Sequence, residues 1–176
     1  MIKLDQFRKE IIKVWFNRAK KHINGTINGF GNQPIATQLF YVDGLIYCTI
    51  TYEAYLFGMF AEKTVKNNRK NLDRKFGNIL KDSNLPDDLK NAINELYKET
   101  NINHIKDMSG RSRRFVWVKN KDDLDNILDV IYRIRSNLLH GGKELSNDRN
   151  FKLIKYSFIA LYRILEIILK HEGLIC

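Results

Sequence analysis

The sequence predicts an all-α fold, a single bundle of about five to seven helices, and two observations carry this prediction. Hydrophobic residues make up 44% of the chain, and only two prolines and ten glycines interrupt 176 residues, a composition that disfavours disorder and a turn-rich β-sandwich. Apolar residues also recur at three- and four-residue steps through most of the chain, as in amphipathic helices. The length suits one domain, so we expect a single helical domain over residues 1–176.

The first predicted helix, residues 4–24, is interpreted as an extension that precedes the main bundle. Leu4, Phe7, Ile11 and Val14 form an apolar stripe on it, and we expect this stripe to face the core. The helix should end in the segment INGTINGFGNQP, because repeated Gly and Asn followed by Pro give no helical continuation.

The second predicted helix runs from about Ala36 to Glu62. It carries charge only at Asp43, Glu53 and Glu62, so most of its faces can be buried, and we expect it to be the core helix. Residues 44–61 are apolar enough to suggest a membrane span, but an acidic Glu53 in the middle and many Thr and Tyr residues favour a bundle helix instead.

The middle of the chain is more polar. Residues 62–81 are rich in Lys and Arg and are interpreted as a solvated helix, and a short helix around residues 89–97 should begin at a Ser or Asp cap in SNLPDD. The segment MSGRSRRFVWVKNK follows, in which FVWV predicts a brief strand or a docking loop. Arg111, Arg113 and Arg114 give it a basic cluster, which is either a solvated loop or an RNA contact beside the aromatic rings of Phe115 and Trp117.

The last two helices have the clearest periodicity. One apolar face is predicted from Leu124 to Leu138, ending at the glycine pair Gly141 and Gly142. The final helix should begin near Ser146. Its apolar stripe comprises Phe151, Ile154, Phe158, Leu161, Leu165 and Ile168. Further apolar residues beside the stripe predict that a second face of this helix is also buried.

Charge and cysteine content bear on the partners and the cellular compartment of the protein. Lys and Arg outnumber Asp and Glu by 30 to 20, for a net charge of +10, which favours a polyanionic partner such as nucleic acid, with solubility as the simpler explanation. Two cysteines, Cys48 and Cys176, fit a reducing cytoplasm. The charged start MIKLDQFRKEIIKVW lacks the apolar core of a secretory signal, so a cytoplasmic protein is predicted.

Several kinds of chemistry lack their sequence signals. The chain contains no GxxxxGK[ST], GxGxxG, GxSxG or HExxH pattern, which removes the basis for phosphate-loop, dinucleotide, serine-hydrolase and metalloprotease functions. Its four histidines are scattered, and neither cysteine has a partner at metal-ligand spacing. We therefore expect no metal and no cofactor.

The segment IYRIRSNLLHGGK holds the candidate site. Arg135 and His140 lie about 140° apart around an ideal helix, but a long arginine and a helix ending at the glycines allow both side chains to face one groove. Arginine is permanently charged and suits a phosphodiester, and histidine moves protons near neutral pH, so the pair suits metal-free phosphoryl transfer. In the alternative, His140 caps the helix end and Arg135 forms a structural ion pair with Glu53.

This segment resembles the RxxxxH signature of the HEPN superfamily, particularly its prokaryotic members with R-x-N-L-x-H-G. TYEAYLF is similar to the first core helix of such proteins, in which a polar residue, here Glu53, faces the motif. The resemblance covers residues 36–172, is specific at residues 131–143 and is topological elsewhere, and the motif region lies within residues 121–143.

The resemblance implies a dimeric, metal-independent endoribonuclease with a cleft shared by two protomers, and a 2′,3′-cyclic phosphate product. His140 would act as acid and base, Arg135 would hold the phosphate, and Asn137 would orient either group or the substrate. Glu53 is counted with the candidate catalytic residues, either as a partner for Arg135 or for tyrosine hydroxyls or as a catalytic base. Lys143 and the basic cluster are the candidate contacts to RNA.

Such enzymes are typical of bacterial toxin, stress or antiphage systems, so a regulatory or antitoxin protein is an expected partner and a membrane is not. Ser136 occupies a position where many active members carry Asn, Asp or His directly after the arginine. The alternative that this departure leaves open is a noncatalytic HEPN module for dimerisation or for nucleotide or protein binding.

Overall fold

The computed structural model describes residues 4–27, 34–60, 62–82, 84–106, 115–139 and 147–176. Within these ranges the chain forms a helical bundle, which confirms the predicted all-α class. The helices are α1 (Gln6–Ile27), α2 (Pro34–Phe60), α3 (Val65–Phe76), α4 (Asp87–Ile102), α5 (Leu124–Leu139) and α6 (Asp148–His171), with a short 3₁₀ turn at Ile79–Lys81. Two short strands, β1 (Ile105–Lys106) and β2 (Phe115–Val116), lie between α4 and α5.

Helix α6 lies in the centre of the bundle, where it packs against α2 on one side and α4 on another. Its predicted stripe is buried from Ile154 to Ile168, and the predicted second face is also confirmed, because Leu153, Ile164 and Leu169 are buried as well. The side chain of Asn147 caps the helix by accepting hydrogen bonds from the backbone N–H groups of Arg149 and Asn150. The apolar stripe of α6 therefore packs against other helices of the same chain.

Helix α1 packs on α2 with a different face from the predicted one. Ile12, Phe16, Ala19 and Ile23 are buried, whereas Phe7 is 75% exposed and Val14 is 49% exposed. The prediction was correct for Leu4 and wrong for Phe7 and Val14, because α1 carries two apolar stripes and only one can face the core. The ring of Phe16 stacks on Tyr162 of α6 with centroids 5.1 Å apart. The helix also extends to Ile27, three residues beyond the predicted end.

Helix α2 supplies the core that its composition predicted. Tyr41, Leu45, Cys48, Tyr52, Tyr55, Leu56 and Met59 are all buried. Gly44 allows α6 to approach closely, because a Cβ at this position would lie 2.7 Å from a ring carbon of Phe158. Of the helices that the structure describes, none combines the length and apolar character that crossing a membrane requires.

Helix α3 is less solvated than predicted, because its Arg69 is only 5% exposed. Arg69 Nε lies 2.5 Å from Asp125 Oδ1, and Arg69 Nη1 lies 2.7 Å from Asp129 Oδ1. Burial alone would lower the pKa of Arg69, but the two carboxylates raise it above its ordinary value. The ion pairs therefore attach α3 to α5, and Leu72 and Phe76 bury the apolar side of the helix.

Helix α4 begins without the predicted Ser or Asp cap. Its N-cap residue is Pro86, which has no side-chain acceptor, and Asp87 and Asp88 stand in the first turn instead. Carboxylates in the first turn interact favourably with the helix dipole. The predicted cap is therefore wrong, although the helix itself is where the apolar spacing indicated.

Strands β1 and β2 pair antiparallel and form a small ribbon, with Ile105 opposite Val116 and Lys106 opposite Phe115. The predicted brief strand in FVWV is thus confirmed for its first two residues. Side chains of α4 and α5 hold the chain that leaves β2. Val118 N donates to Thr100 Oγ1 (3.0 Å), Asn101 Nδ2 donates to the Val118 carbonyl (2.9 Å), and Asn126 Nδ2 donates to the Trp117 carbonyl (3.1 Å).

Candidate functional site

Arg135 lies in the last part of α5, where its side chain reaches toward α2. The Arg135 Nη2 atom is 3.9 Å from Glu53 Oε1, and the two side chains are 22% and 30% exposed. The Nε atom is buried and has no hydrogen-bond partner within the described residues. Tyr132, one turn earlier, has its ring centroid 6.0 Å from the guanidinium carbon. Among the described residues, the guanidinium thus has one ion pair, which is long, and a buried Nε donor that is not used.

Glu53 connects this arginine to a groove between α1 and α2. The groove has a volume of about 550 Å³, and Glu53, Phe57, Phe7, Ile11 and Arg8 contribute to its walls. The ion pair of Glu53 with Arg135 therefore lies next to the exposed apolar stripe of α1 on the surface. The pairing is the one expected in the structural interpretation, in which Arg135 and Glu53 form an ion pair, but its distance of 3.9 Å is long for that role.

Asn137 faces a different part of the molecule. It stands two positions after Arg135, which corresponds to about 200° around the helix, and it is 1% exposed. Asn137 Nδ2 donates a hydrogen bond of 2.7 Å to the Lys106 carbonyl in β1. Its amide therefore fastens the ribbon to α5, a role that the motif did not predict. The expected role in orienting His140 or the substrate stays a prediction.

The other predicted site residues lie outside the described residues. These are His140 and Lys143 in the motif region and the basic cluster of Arg111, Arg113 and Arg114. Of the predicted catalytic set, the structure therefore brings Arg135 and Glu53 together and shows where the Asn137 amide is bound. The predicted approach of His140 to Arg135 stays a prediction.

The Arg69 cluster was missed by sequence reasoning. Asp125 and Asp129 lie one turn apart on α5 and both bind Arg69, and buried Tyr52 of α2, whose pKa is raised mainly by burial, also interacts with these charges. A signal was present, because two acids at a four-residue spacing beside the apolar face of α5 need a cationic partner when buried. The ion pairs of the cluster hold α3 against α5, the helix that carries Arg135.

The ribbon presents a second group of exposed side chains that sequence reasoning recognised only in part. His104 stacks on Trp117 with centroids 4.1 Å apart and planes 14° apart, and the Lys119 Nζ atom lies 4.9 Å from the centroid of the indole ring. Phe115 is 50% exposed, next to Lys106 on the opposite strand. Phe115 and Trp117 were expected to offer ring surfaces, whereas the participation of His104 was not expected.

No protein-family model, curated protein or solved structure matches this chain. Within the part of the chain that the structure describes, no group of three or more His, Cys, Asp or Glu side chains is arranged to hold a metal ion.

Proposed function

We propose that the protein is a metal-independent endoribonuclease of the HEPN type, with Arg135 and His140 as its catalytic residues. The observation that carries the proposal is the state of Arg135: a partly exposed guanidinium with one ion pair of 3.9 Å and a buried Nε without a hydrogen-bond partner among the described residues. Such a group can accept a phosphate without first losing a close partner. The RxxxxH spacing, the all-α bundle and the net charge of +10 support the same function.

The proposed reaction is an intramolecular transesterification of RNA. The ribose 2′-oxygen bonds to the adjacent phosphorus and loses its proton, while the bond from phosphorus to the 5′-oxygen breaks and that oxygen takes up a proton. The products are a 2′,3′-cyclic phosphate and a 5′-hydroxyl. His140 transfers the protons, and Arg135 stabilises the negative charge that develops on the phosphoryl oxygens. In a cleft shared by two protomers, two copies of His140 are available for the two proton transfers.

A noncatalytic binding module of the same superfamily is the second candidate. It is favoured by the structural contacts of the two motif residues that are described, since Arg135 pairs with Glu53 and Asn137 holds the ribbon. In that function the motif stabilises the end of α5, and the basic surface promotes association with a partner.

Incubation of the purified protein with labelled RNA in the presence of EDTA, followed by analysis of the product ends, tests the reaction. We expect His140→Ala to reduce cleavage by about 10²- to 10⁴-fold with little change in RNA affinity, because the histidine acts on the proton and not on the bound phosphate. Arg135→Ala should reduce both cleavage and affinity.

Arg133→Ala is the matched control, since Arg133 lies on the same helix about 200° away from Arg135. It should leave cleavage unchanged. Melting curves of each variant separate a loss of chemistry from a loss of folded protein. A wild-type protein that never cleaves RNA, together with motif variants that melt earlier, would favour the binding module instead.

A further inference from the structure

The two faces of the ribbon differ in character. Ile105 and Val116 point inward and are buried, whereas Lys106 and Phe115, the next pair along the ladder, are exposed. Alternation along the strands places His104 and Trp117, one step before Ile105 and one step after Val116, on the same outward side as Lys106 and Phe115. The outward face thus combines two aromatic rings, an imidazole and a lysine.

The outer ring of the stack on this side of the ribbon is exposed. Trp117 is half-buried, with His104 stacked on its indole and the Lys119 ammonium near it. His104 itself is exposed, and within the described residues no second ring stacks on it. Phe115 is 50% exposed. His104 and Lys106 stand two residues apart, about 6.6–6.8 Å along β1, with Phe115 opposite Lys106, so two rings are available close together.

The surrounding bonds hold this face in place before anything binds. The Asn137 amide fixes the Lys106 carbonyl of β1, and the Asn126 amide fixes the Trp117 carbonyl. Asn126 also accepts a hydrogen bond of 2.7 Å from the Lys119 backbone. Because these anchors are side chains of α5, ring surfaces on the ribbon lose little conformational freedom when a ligand stacks on them.

We propose that the outward face of the ribbon is a binding platform for single-stranded RNA, in which bases stack on Phe115 and His104 and Lys106 contacts a phosphate. Exposed aromatic rings with adjacent cations are the elements that such binding uses, and duplex RNA cannot offer its base faces to them. The excess of ten positive charges complements the phosphate backbone. The proposal rests on RNA as the substrate of the proposed nuclease.

The platform is attached to the helix that carries the motif. Asn137, which binds the ribbon, stands two residues from Arg135 on α5. The ribbon and the candidate catalytic arginine are therefore attached to the same helix, on sides about 200° apart around its axis, so that a single strand must pass around α5 to contact both. Stacking should then contribute mainly to substrate affinity, and the loss of one ring should raise KM with little change in kcat.

The test measures binding of a single-stranded RNA of about 12 nucleotides with 2′-O-methyl sugars, which the proposed reaction cannot cleave. Phe115→Leu keeps an apolar side chain and removes the ring face, and it should weaken binding about 5- to 100-fold. Phe115→Tyr retains the ring and should bind like the wild type. Leu39→Ala, an equally exposed apolar residue on α2, controls for position and should have no effect.

Tryptophan fluorescence supplies a second readout. The chain has two tryptophans, so in a Trp15→Phe background only Trp117 emits, and RNA stacking against His104 should change its emission. Unchanged affinity in Phe115→Leu, duplex RNA bound as tightly as the single strand, or an unaltered Trp117 signal would each overturn the platform.

These results are distinguishable from failure of the nuclease. If the protein binds the single strand through Phe115 but never cleaves RNA, the proposed function is contradicted and the proposed platform is supported. A protein that cleaves RNA with the same KM in Phe115→Leu retains the function and contradicts the platform. Binding of an unrelated protein through Phe115 without any RNA affinity would contradict both.

Discussion

At the scale of single residues, the contact between Arg135 and Glu53 decides how available the arginine is. An ion pair of 3.9 Å between partly exposed side chains contributes little to stability. The same carboxylate competes with any phosphate that approaches the guanidinium. Glu53 therefore acts as a weak internal competitor for the anion that Arg135 is proposed to bind.

Replacing Glu53 by Gln should accordingly strengthen RNA binding. We expect an increase of about 2- to 5-fold, since partly exposed pairs are worth about 1 kcal/mol or less. Fluorescence anisotropy with the uncleavable RNA measures it. Asp43→Asn, which removes an exposed acid from the same helix, controls for the change in overall charge. If Glu53→Gln has the same effect in an Arg135→Ala background, the competition does not exist.

Residue identities also show what a motif can and cannot predict. The pairing of Glu53 with Arg135 was foreseen because the resemblance implies that a polar residue of the first core helix, here Glu53, faces the motif. The bond from Asn137 to the Lys106 carbonyl was not foreseen, since a backbone carbonyl has no sequence signature. A signature such as RxxxxH thus identifies residues whose side chains are able to take part in a reaction. It does not predict the direction in which each side chain points.

At the scale of elements, periodicity predicted the helices better than their buried faces. Helix α6 has apolar residues on two sides and buries both, so either choice of stripe was correct. Helix α1 also has two apolar stripes but buries one, and the stripe that contains Phe7 and Val14 was the wrong choice. The choice depends on which neighbour covers the helix, here α2 and α6, and a single helix sequence does not contain that information.

Arg69 shows the same limit for charged residues. Its partners Asp125 and Asp129 are 56 and 60 positions away in the sequence. Among the many cations of residues 62–81, nothing local distinguishes this arginine from its solvated neighbours. Only the packing of α3 on α5 does so.

Arg69→Met should destabilise the fold, because it leaves the two carboxylates without their cation. We expect a loss of about 3 kcal/mol, since Asp125 reaches water and Asp129 is largely buried. For a chain of this size that corresponds to roughly 6–12 °C in Tm. Thermal unfolding followed by circular dichroism measures the shift.

Arg74→Met, an exposed arginine on the same helix, should change Tm little. The triple variant Arg69→Met, Asp125→Asn and Asp129→Asn should recover part of the loss, because it removes the unpaired charges as well. If the Arg69→Met, Arg74→Met and triple variants all melt at the temperature of the wild type, the buried ion pairs do not hold α3 on α5.

At the scale of the whole molecule, the apolar stripe of α6 gives no support for a dimer, because it forms the core of the bundle. The expectation of a homodimer now depends on the proposed HEPN cleft, which requires two protomers. Light scattering and sedimentation at micromolar protein should then give about twice the chain mass of 20.8 kDa. A monomer at all concentrations would contradict a cleft with two copies of His140.

The charge of the molecule leads to a separate prediction for the basic cluster. If Arg111, Arg113 and Arg114 contact phosphates, replacing all three by Gln should weaken RNA binding and reduce its dependence on salt. The slope of log K against log salt should fall by up to about 2, at roughly 0.7 per phosphate contact on a single strand. An unchanged slope in titrations at several salt concentrations would mean that the cluster stays in solvent.

The attachment of the ribbon also has a consequence for how the protein opens. Two residue pairs form its ladder, and side chains of α4 and α5 supply the bonds beyond it. A two-stranded ribbon of this length has almost no stability of its own. Its backbone amides should therefore exchange with deuterium only when the neighbouring helices loosen, so that ribbon, Thr100 and Asn137 belong to one cooperative unfolding unit.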